Sequence, residues 1–399
     1  MAHLPVRHIV FWNIGYSGSG LSGGDISWLK LAMSLAEARV SIVVVTSGQG
    51  VSAFRRYGLT KAKYVVVPGG RAITSTSLIP TVLELIRRSV VSLVMAKKLG
   101  LQKGSVVVCN SDLLHENLPL LAFPKTKDVV IMSTFHLTYP LRRHHPQGLS
   151  TVDRLHALLL FIQQQFSLLI MRTKCDLILA HSNTVEFLVR RGIDRHRILS
   201  FPLHLVNTDR KVIRQALPQK KLYDACWIGR YTPRKGFEEA LRTWKLITEQ
   251  APDSKLVLVG SVCSDATATN LIKSYGFNNV SLVGFVSELE KFQILGQSGV
   301  LIHTSYLEGQ PTTAWEAVSC GVPVVCFDLP FNQELPGAIR VKVNDTLGLA
   351  SAFFSVNFDL RVRRVLLEEI GRYKLDYDVN DLMTAFMSAI ADTQLLPEN

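Results

Sequence analysis

Residues 8–48 open with the apolar run His8-Ile-Val-Phe-Trp-Asn-Ile14 and continue into a glycine-rich turn, Gly15-Tyr-Ser-Gly18-Ser-Gly20-Leu-Ser-Gly23-Gly24. A helical pattern follows over Ile26–Ala38, and then a second apolar run, Val40-Ser-Ile-Val-Val-Val-Thr46. The runs are continuous rather than alternating, which marks strands buried on both faces of a parallel sheet. Strand, tight turn, helix and strand form the repeating unit of a doubly wound α/β domain.

The same alternation extends along the chain. Tyr64–Val67, Ser105–Asn110, Val129–Thr134 and Asp176–Ala180 read as further strands of the first sheet. After a polar, basic stretch at Leu203–Tyr223 the pattern restarts, with strands at Ala225–Ile228, Lys255–Val259, Val280–Val283, Gly299–Ile302 and Val322–Phe327. Helical patterns at Gly236–Gln250 and Thr312–Cys320 separate them. The expected architecture is α/β: two doubly wound Rossmann-like domains with a central cleft. The first covers residues 1–205 and the second 206–375. Residues 376–399 read as a helix packing back on the first domain. In such sheets ligands bind beyond the carboxyl ends of the strands.

Composition narrows the classes. Of 399 residues, 47% are apolar and 19% charged, a balance that excludes a disordered chain. Formal net charge is +12, which favours acidic partners. The charge is uneven: residues 1–205 hold 24 Lys and Arg against 10 Asp and Glu, and residues 206–399 hold 20 against 22. The six cysteines lie in or beside apolar runs without a C-x-x-C pair, and read as reduced core residues of a cytoplasmic protein. No signal peptide is expected, and no run of about 18 uninterrupted apolar residues marks a membrane span. Residues Arg154–Arg172 carry apolar side chains at 155, 158, 159, 162, 166, 169 and 170. That helical spacing fits a core-packing helix and a membrane-surface helix alike. Leu83–Leu99 is a second such segment, and Arg142-Arg143-His144-His145 adds basic residues between the two. The basic residues lack an interleaved aromatic platform, so nucleic acid is not an expected partner.

The turn Gly18-Ser-Gly20-Leu-Ser-Gly23 matches the dinucleotide fingerprint literally and has the right strand–helix context. A nicotinamide site also needs an acid at the end of the second strand, and here that strand ends Val45-Thr46-Ser47-Gly48. A dehydrogenase is therefore not expected. Gly20 and Gly23 are read instead as backbone that approaches a phosphate or substrate.

Two clusters in the second half carry the chemistry. Gly229-Arg230-Tyr-Thr-Pro-Arg234-Lys235-Gly236 follows a strand and opens a helix. A guanidinium and an ammonium placed there suit a diphosphate, because charge-assisted hydrogen bonds to its oxygens are strong. The second cluster is Glu308-Gly309-Gln310-Pro311-Thr312-Thr-Ala-Trp-Glu316. It sets two carboxylates eight residues apart across a helix N-terminus, where an anion is favoured. No His, Cys or Asp spacing matches a metal site.

Taken in order, the glycine-rich loop, Arg230 with Lys235, the Gly284-Phe285-Val286 turn and the Glu308/Glu316 pair resemble the retaining glycosyltransferases of the GT-B fold, family four. The resemblance covers nearly the whole chain. It implies a nucleotide-sugar donor and a hydroxyl acceptor, glycan or lipid-linked, with no cofactor and no metal. Arg230 and Lys235 would bind the diphosphate and stabilise the leaving group. Glu316 would bind the ribose and Glu308 the donor sugar. The Gly309, Gln310, Pro311 and Thr312 backbone would hold phosphate or sugar, and Phe285 and Val286 would cover the base. His136, after a first-domain strand, matches the family's histidine near the sugar. Two departures bear on sugar identity: Gln310 stands where an aromatic residue is frequent, and Leu137 where Asp or Gly is frequent. The basic first domain suggests a peripheral position on an anionic membrane surface. A non-catalytic sugar-nucleotide binder and a sugar-nucleotide epimerase of similar fold are the alternatives.

Overall fold

The computed structural model describes residues 6, 8–14, 21, 23–68, 78–126, 128–139, 151–202, 210–217, 220–260, 265–373 and 379–395. The chain forms two compact units. One comprises Met1–Arg142, Ser150–Asn207 and Tyr377–Asn399, and the other includes Thr208–Asp376.

The first unit is built on seven strands: β1 (His8–Asn13), β2 (Ser41–Ser47), β3 (Lys63–Val67), β4 (Ser105–Cys109), β5 (Val129–Phe135), β6 (Leu177–Ala180) and β7 (Ile198–Ser200). Their order is β3-β2-β1-β4-β5-β6-β7, and every pairing is parallel. Successive residues of β1 point to opposite cores, as the two-residue period of a strand requires. Ile9 and Phe11 join one buried cluster, with Trp28 and Phe54, while Val10 and Trp12 join the other. The helix Val379–Leu395 belongs to this unit and buries Leu382, Phe386 and Ile390 in the first of these clusters.

The second unit has six strands: β8 (Tyr223–Ile228), β9 (Leu256–Val259), β10 (Val280–Gly284), β11 (Ser298–His303), β12 (Val324–Phe327) and β13 (Ala338–Val341). Their order is β10-β9-β8-β11-β12-β13, again parallel throughout. Trp227, Trp244 and Phe353 fill one face, and Trp315 and Phe292 the other.

Both sheets are therefore doubly wound. In each, the strand order reverses beside the unit's first strand, between β1 and β4 and between β8 and β11. A ligand crevice forms beyond the strand ends at such a reversal, because neighbouring loops turn to opposite faces there. Strands β7 and β13 were not foreseen. Both are short, lie at sheet edges and are only partly buried, so neither shows a continuous apolar run. Gly23 opens the helix Gly23–Glu37, while Gly18 and Gly20 lie outside the described residues.

Candidate active site

In the second unit, the loops that follow β8 and β11 are bound to each other. Gly236 ends the turn Pro233–Lys235 at φ +67, a left-handed conformation that suits glycine. A Cβ added there would lie 2.0 Å from the Thr304 carbonyl oxygen, so the contact admits no side chain. Trp227 Nε1 donates to Thr304 Oγ1 at 2.9 Å, and that hydroxyl donates to the Gly236 carbonyl at 2.7 Å. The Tyr306 N–H donates to the Arg234 carbonyl at 3.0 Å. These bonds fix Lys235 opposite Glu308. Lys235 Nζ donates to Glu308 Oε1, and Ser305 Oγ donates to the same oxygen at 2.6 Å.

The electrostatics follow from this packing. Burial alone would raise the Glu308 pKa, but Lys235, His303 and Arg234 overcome it and hold the carboxyl at about 2. Burial lowers Lys235, Arg234 and Arg230 lower it further, and Glu308 pulls in the opposite direction. His303, buried at the end of β11, is pushed down to about 4 by burial, so it is neutral at pH 7. Arg230 itself is exposed. The structure thus brings Arg230, Lys235 and Glu308 to one place, with Arg234, Ser305 and His303 beside them.

Glu316 is 3% exposed in the helix Thr312–Ser319. Its Oε1 accepts from Lys291 Nζ at 2.6 Å, and Lys291 comes from the helix Glu288–Gly296. The N-terminus of the Glu316 helix carries no side-chain cap. The backbone of residues 309–312 offers fewer free N–H groups than its length suggests. Pro311 has no N–H, and the Thr312 N–H is turned back to the Gln310 carbonyl at 2.9 Å. After β10, Phe285 stands 81% exposed, while Val286 packs partly into the core.

Three glycines converge near this edge. Gly260, at φ +140, donates its N–H to the Gly284 carbonyl at 2.8 Å, and a Cβ on it would lie 1.8 Å from the Gly229 carbonyl oxygen. The ends of β8, β9 and β10 are thereby drawn close, and Gly260 was not singled out in the sequence.

In the first unit, His136 follows β5. Its Nε2 lies 2.8 Å from the Asn110 carbonyl, which only accepts, so Nε2 carries the proton. A Cβ on Gly24 would lie 2.9 Å from His136 Cε1. Gln164 braces the segment: its Nε2 donates to the Leu137 carbonyl at 2.7 Å and to Asp112 Oδ2, and its Oε1 accepts from the Tyr139 N–H at 2.9 Å. Burial raises the Asp112 pKa, against the pull of His136 and the Gln164 bond. Asn110 and Asp112 gave no signal in the sequence, because a lone polar residue after a strand fits any loop, and Gln164 gave none inside a helical run. Among the described residues, no group of three or more His, Cys, Asp or Glu could hold a metal ion. Five cysteines (109, 175, 226, 320 and 326) are buried and free; Cys263 lies outside the described residues.

Residues 209–337 match the family described as Glycosyl transferases group 1. An uncharacterized glycosyltransferase of Methanocaldococcus jannaschii is 34% identical over 102 residues, 25% of this chain and 25% of that protein. One of Haemophilus influenzae is 24% identical over 157 residues, 39% of this chain and 43% of that protein. These alignments span less than half of the curated relatives' length. Among solved structures, an S. aureus TarM mutant in complex with UDP superposes with a TM-score of 0.69 at 12% identity, covering 96% of this chain and 100% of that one. The pneumococcal O-GlcNAc transferase GtfA, with UDP and GlcNAc, gives 0.67 at 10% identity, covering 98% and 100%. The N-terminal domain of a Candida albicans trehalose-6-phosphate phosphatase gives 0.61 at 15% identity, covering 97% of each chain. At such identities the likeness speaks for the fold, which hosts several chemistries. The chain has the two Rossmann-like domains of the GT-B fold, and its 209–337 segment is similar to the group 1 glycosyl transferases.

Proposed function

We propose that this protein is a retaining glycosyltransferase of family four, moving a sugar from a nucleotide-sugar to a hydroxyl of a glycan or lipid-linked acceptor. The observation that carries the reading is the Lys235–Glu308 ion pair at the β8/β11 reversal, with Arg230 and Arg234 beside it and Glu316 one turn into the next helix. Cations at a strand-order reversal suit a diphosphate. An ionised carboxylate bonded to a lysine suits a sugar hydroxyl arriving next to that diphosphate.

In this reading the bond between the donor C1 and the diphosphate oxygen breaks with oxocarbenium character. The charge that grows on the leaving phosphate is met by Arg230 and Lys235, which are already positioned, so little reorganisation is needed. Glu308 binds the donor sugar, and Glu316 exchanges its Lys291 contact for ribose hydroxyls. Gly309, Gln310 and the helix start at Thr312 face phosphate or sugar, with Pro311 shaping the turn. Phe285 and Val286 cover the base. His136 and the helix start at Gly23–Gly24 serve the sugar and acceptor. The acceptor attacks from the face the diphosphate leaves, and the departing phosphate takes its proton. No step passes through a cofactor or a metal ion, and the protein works in the cytoplasm at the membrane surface. The test is product analysis with UDP-, GDP- and ADP-sugars and candidate acceptors, with the anomeric configuration read by NMR. Transfer with retained configuration supports the reading. Donor converted without acceptor points to an epimerase, and binding without turnover to a non-catalytic binder.

A further inference from the structure

Two helices of the first unit turn long apolar stripes outward. In the helix Leu78–Lys98, the inward positions recur every fourth residue as Glu84, Arg88, Ser92 and Ala96. The outward face carries Leu83, Ile86, Val90 and Val94, exposed by 61, 56, 56 and 45%. In Thr151–Lys174 the buried face mixes Gln163, Gln164 and Ser167 with Leu168, Ile170 and Met171, while Leu155, Leu158, Ile162, Phe166 and Leu169 are exposed. A helix on the surface of a water-soluble protein ordinarily buries its apolar stripe and shows water its polar one.

Several of the inward polar groups are bonded into the protein. Glu84 forms an ion pair with Arg88 at 2.8 Å, Ser92 accepts from Trp12 Nε1 at 2.8 Å, and Gln164 braces the His136 segment. The two helices pack against each other and share the turn Leu118–Ala122, whose Leu121 is also 46% exposed. The result is an apolar surface two helices wide, larger in kind than scattered exposed side chains.

Its ends are basic. Lys97 and Lys98 are exposed where the first helix ends, and Arg154 and Arg172 are exposed near the two ends of the second. Apolar side chains bordered by cations match a bilayer with anionic headgroups, where the stripe enters the acyl boundary and the cations stay at headgroup level. The segment Arg154–Lys174 is long and apolar enough to cross a membrane, but its inward face is bonded into the protein. It lies along a surface rather than through it.

We propose that the exposed faces of helices Leu78–Lys98 and Thr151–Lys174 form a docking surface for an anionic lipid bilayer. This does not rest on the donor-site reading. The experiment is co-sedimentation of the full chain with phosphatidylglycerol or phosphatidylcholine vesicles at low and high salt. The wild type binds phosphatidylglycerol at low salt, at least about tenfold more tightly than phosphatidylcholine. The variant Ile86→Gln, Val90→Gln, Phe166→Gln, Leu169→Gln loses at least about tenfold of that binding with an unchanged thermal midpoint. A second variant, Phe166→Trp, covers the case in which the first does not fold: its added fluorescence shifts to the blue on phosphatidylglycerol vesicles. Failure of the wild type to sediment overturns the proposal, as does wild-type binding by the quadruple variant or an unshifted Phe166→Trp signal. So does a wild-type dimer that the quadruple variant turns into a monomer, because a second copy would then be the occupant.

Discussion

Gly24 and His136 form one contact: a Cβ on Gly24 would lie 2.9 Å from the imidazole Cε1, so the absence of a side chain at 24 lets the ring reach the Asn110 carbonyl. Gly24 and the histidine 112 positions later are thus parts of one arrangement. Gly24→Ala is expected to displace the ring while leaving the helix intact, since alanine favours helix by about 1 kcal/mol over glycine. Under the proposed function, transfer activity should fall by roughly tenfold or more, as it does when a group that positions substrate is slightly misplaced. The thermal midpoint should barely move. Steady-state kinetics beside a melting curve checks this.

Lys235→Ala leaves the largely buried Glu308 without its main cation. Stability should fall by about 3 kcal/mol, the range for breaking one side of a buried pair. The loss depends on pH. The folded pKa of Glu308, about 2, lies below its unfolded value, so this stabilisation is present above about pH 4.5 and fades as pH drops towards 2. Denaturant unfolding of both proteins at pH 7 and pH 3 should show the gap narrowing at the lower pH.

His303 and His115 are both buried, and burial pushes their pKa values down to about 4 and about 3. The unfolded chain therefore takes up protons near pH 6.5 that the folded chain refuses. Stability is full above that pH and declines as pH falls. Between about pH 6 and 4.5, His303→Gln should reduce the slope of unfolding free energy against pH by close to one proton. An unchanged slope would mean that His303 is solvated in the folded state.

Phe285 is 81% exposed, so its removal costs the fold little. Phe285→Ala should change stability by less than about 0.5 kcal/mol. If the ring stacks on the donor base, the donor KM should rise roughly tenfold, in line with 1–3 kcal/mol per stacked base. An unchanged KM would place the base elsewhere.

The doubly wound sheets were legible because β1, β2, β4 and β5 are continuous Val- and Ile-rich runs buried on both faces. The cluster Arg230, Lys235, Glu308 and Glu316 was legible because its members lie in two short segments at strand ends. Lys291 was not, because it belongs to a third segment and meets Glu316 only through the packing of two helices. His303 was hidden in the run Ser298–His303, where a strand-end histidine looks like any other. The helix spacing of 154–172 was read correctly as amphipathic. Spacing cannot say which stripe faces inward, however, and here Gln163, Gln164 and Ser167 share the buried side with Leu168, Ile170 and Met171.

The central claim is that the second unit binds a nucleotide-sugar between Lys235 and Glu316. The most direct measurement is a thermal-shift titration of the full chain with UDP-, GDP- and ADP-sugars, repeated on Glu316→Ala and Lys235→Ala. The account predicts that one base stabilises the wild type, by about 2.7 kcal/mol at a hundredfold excess over Kd, and that both substitutions diminish the shift. No shift with any of the three, or a shift that both variants retain in full, would contradict it.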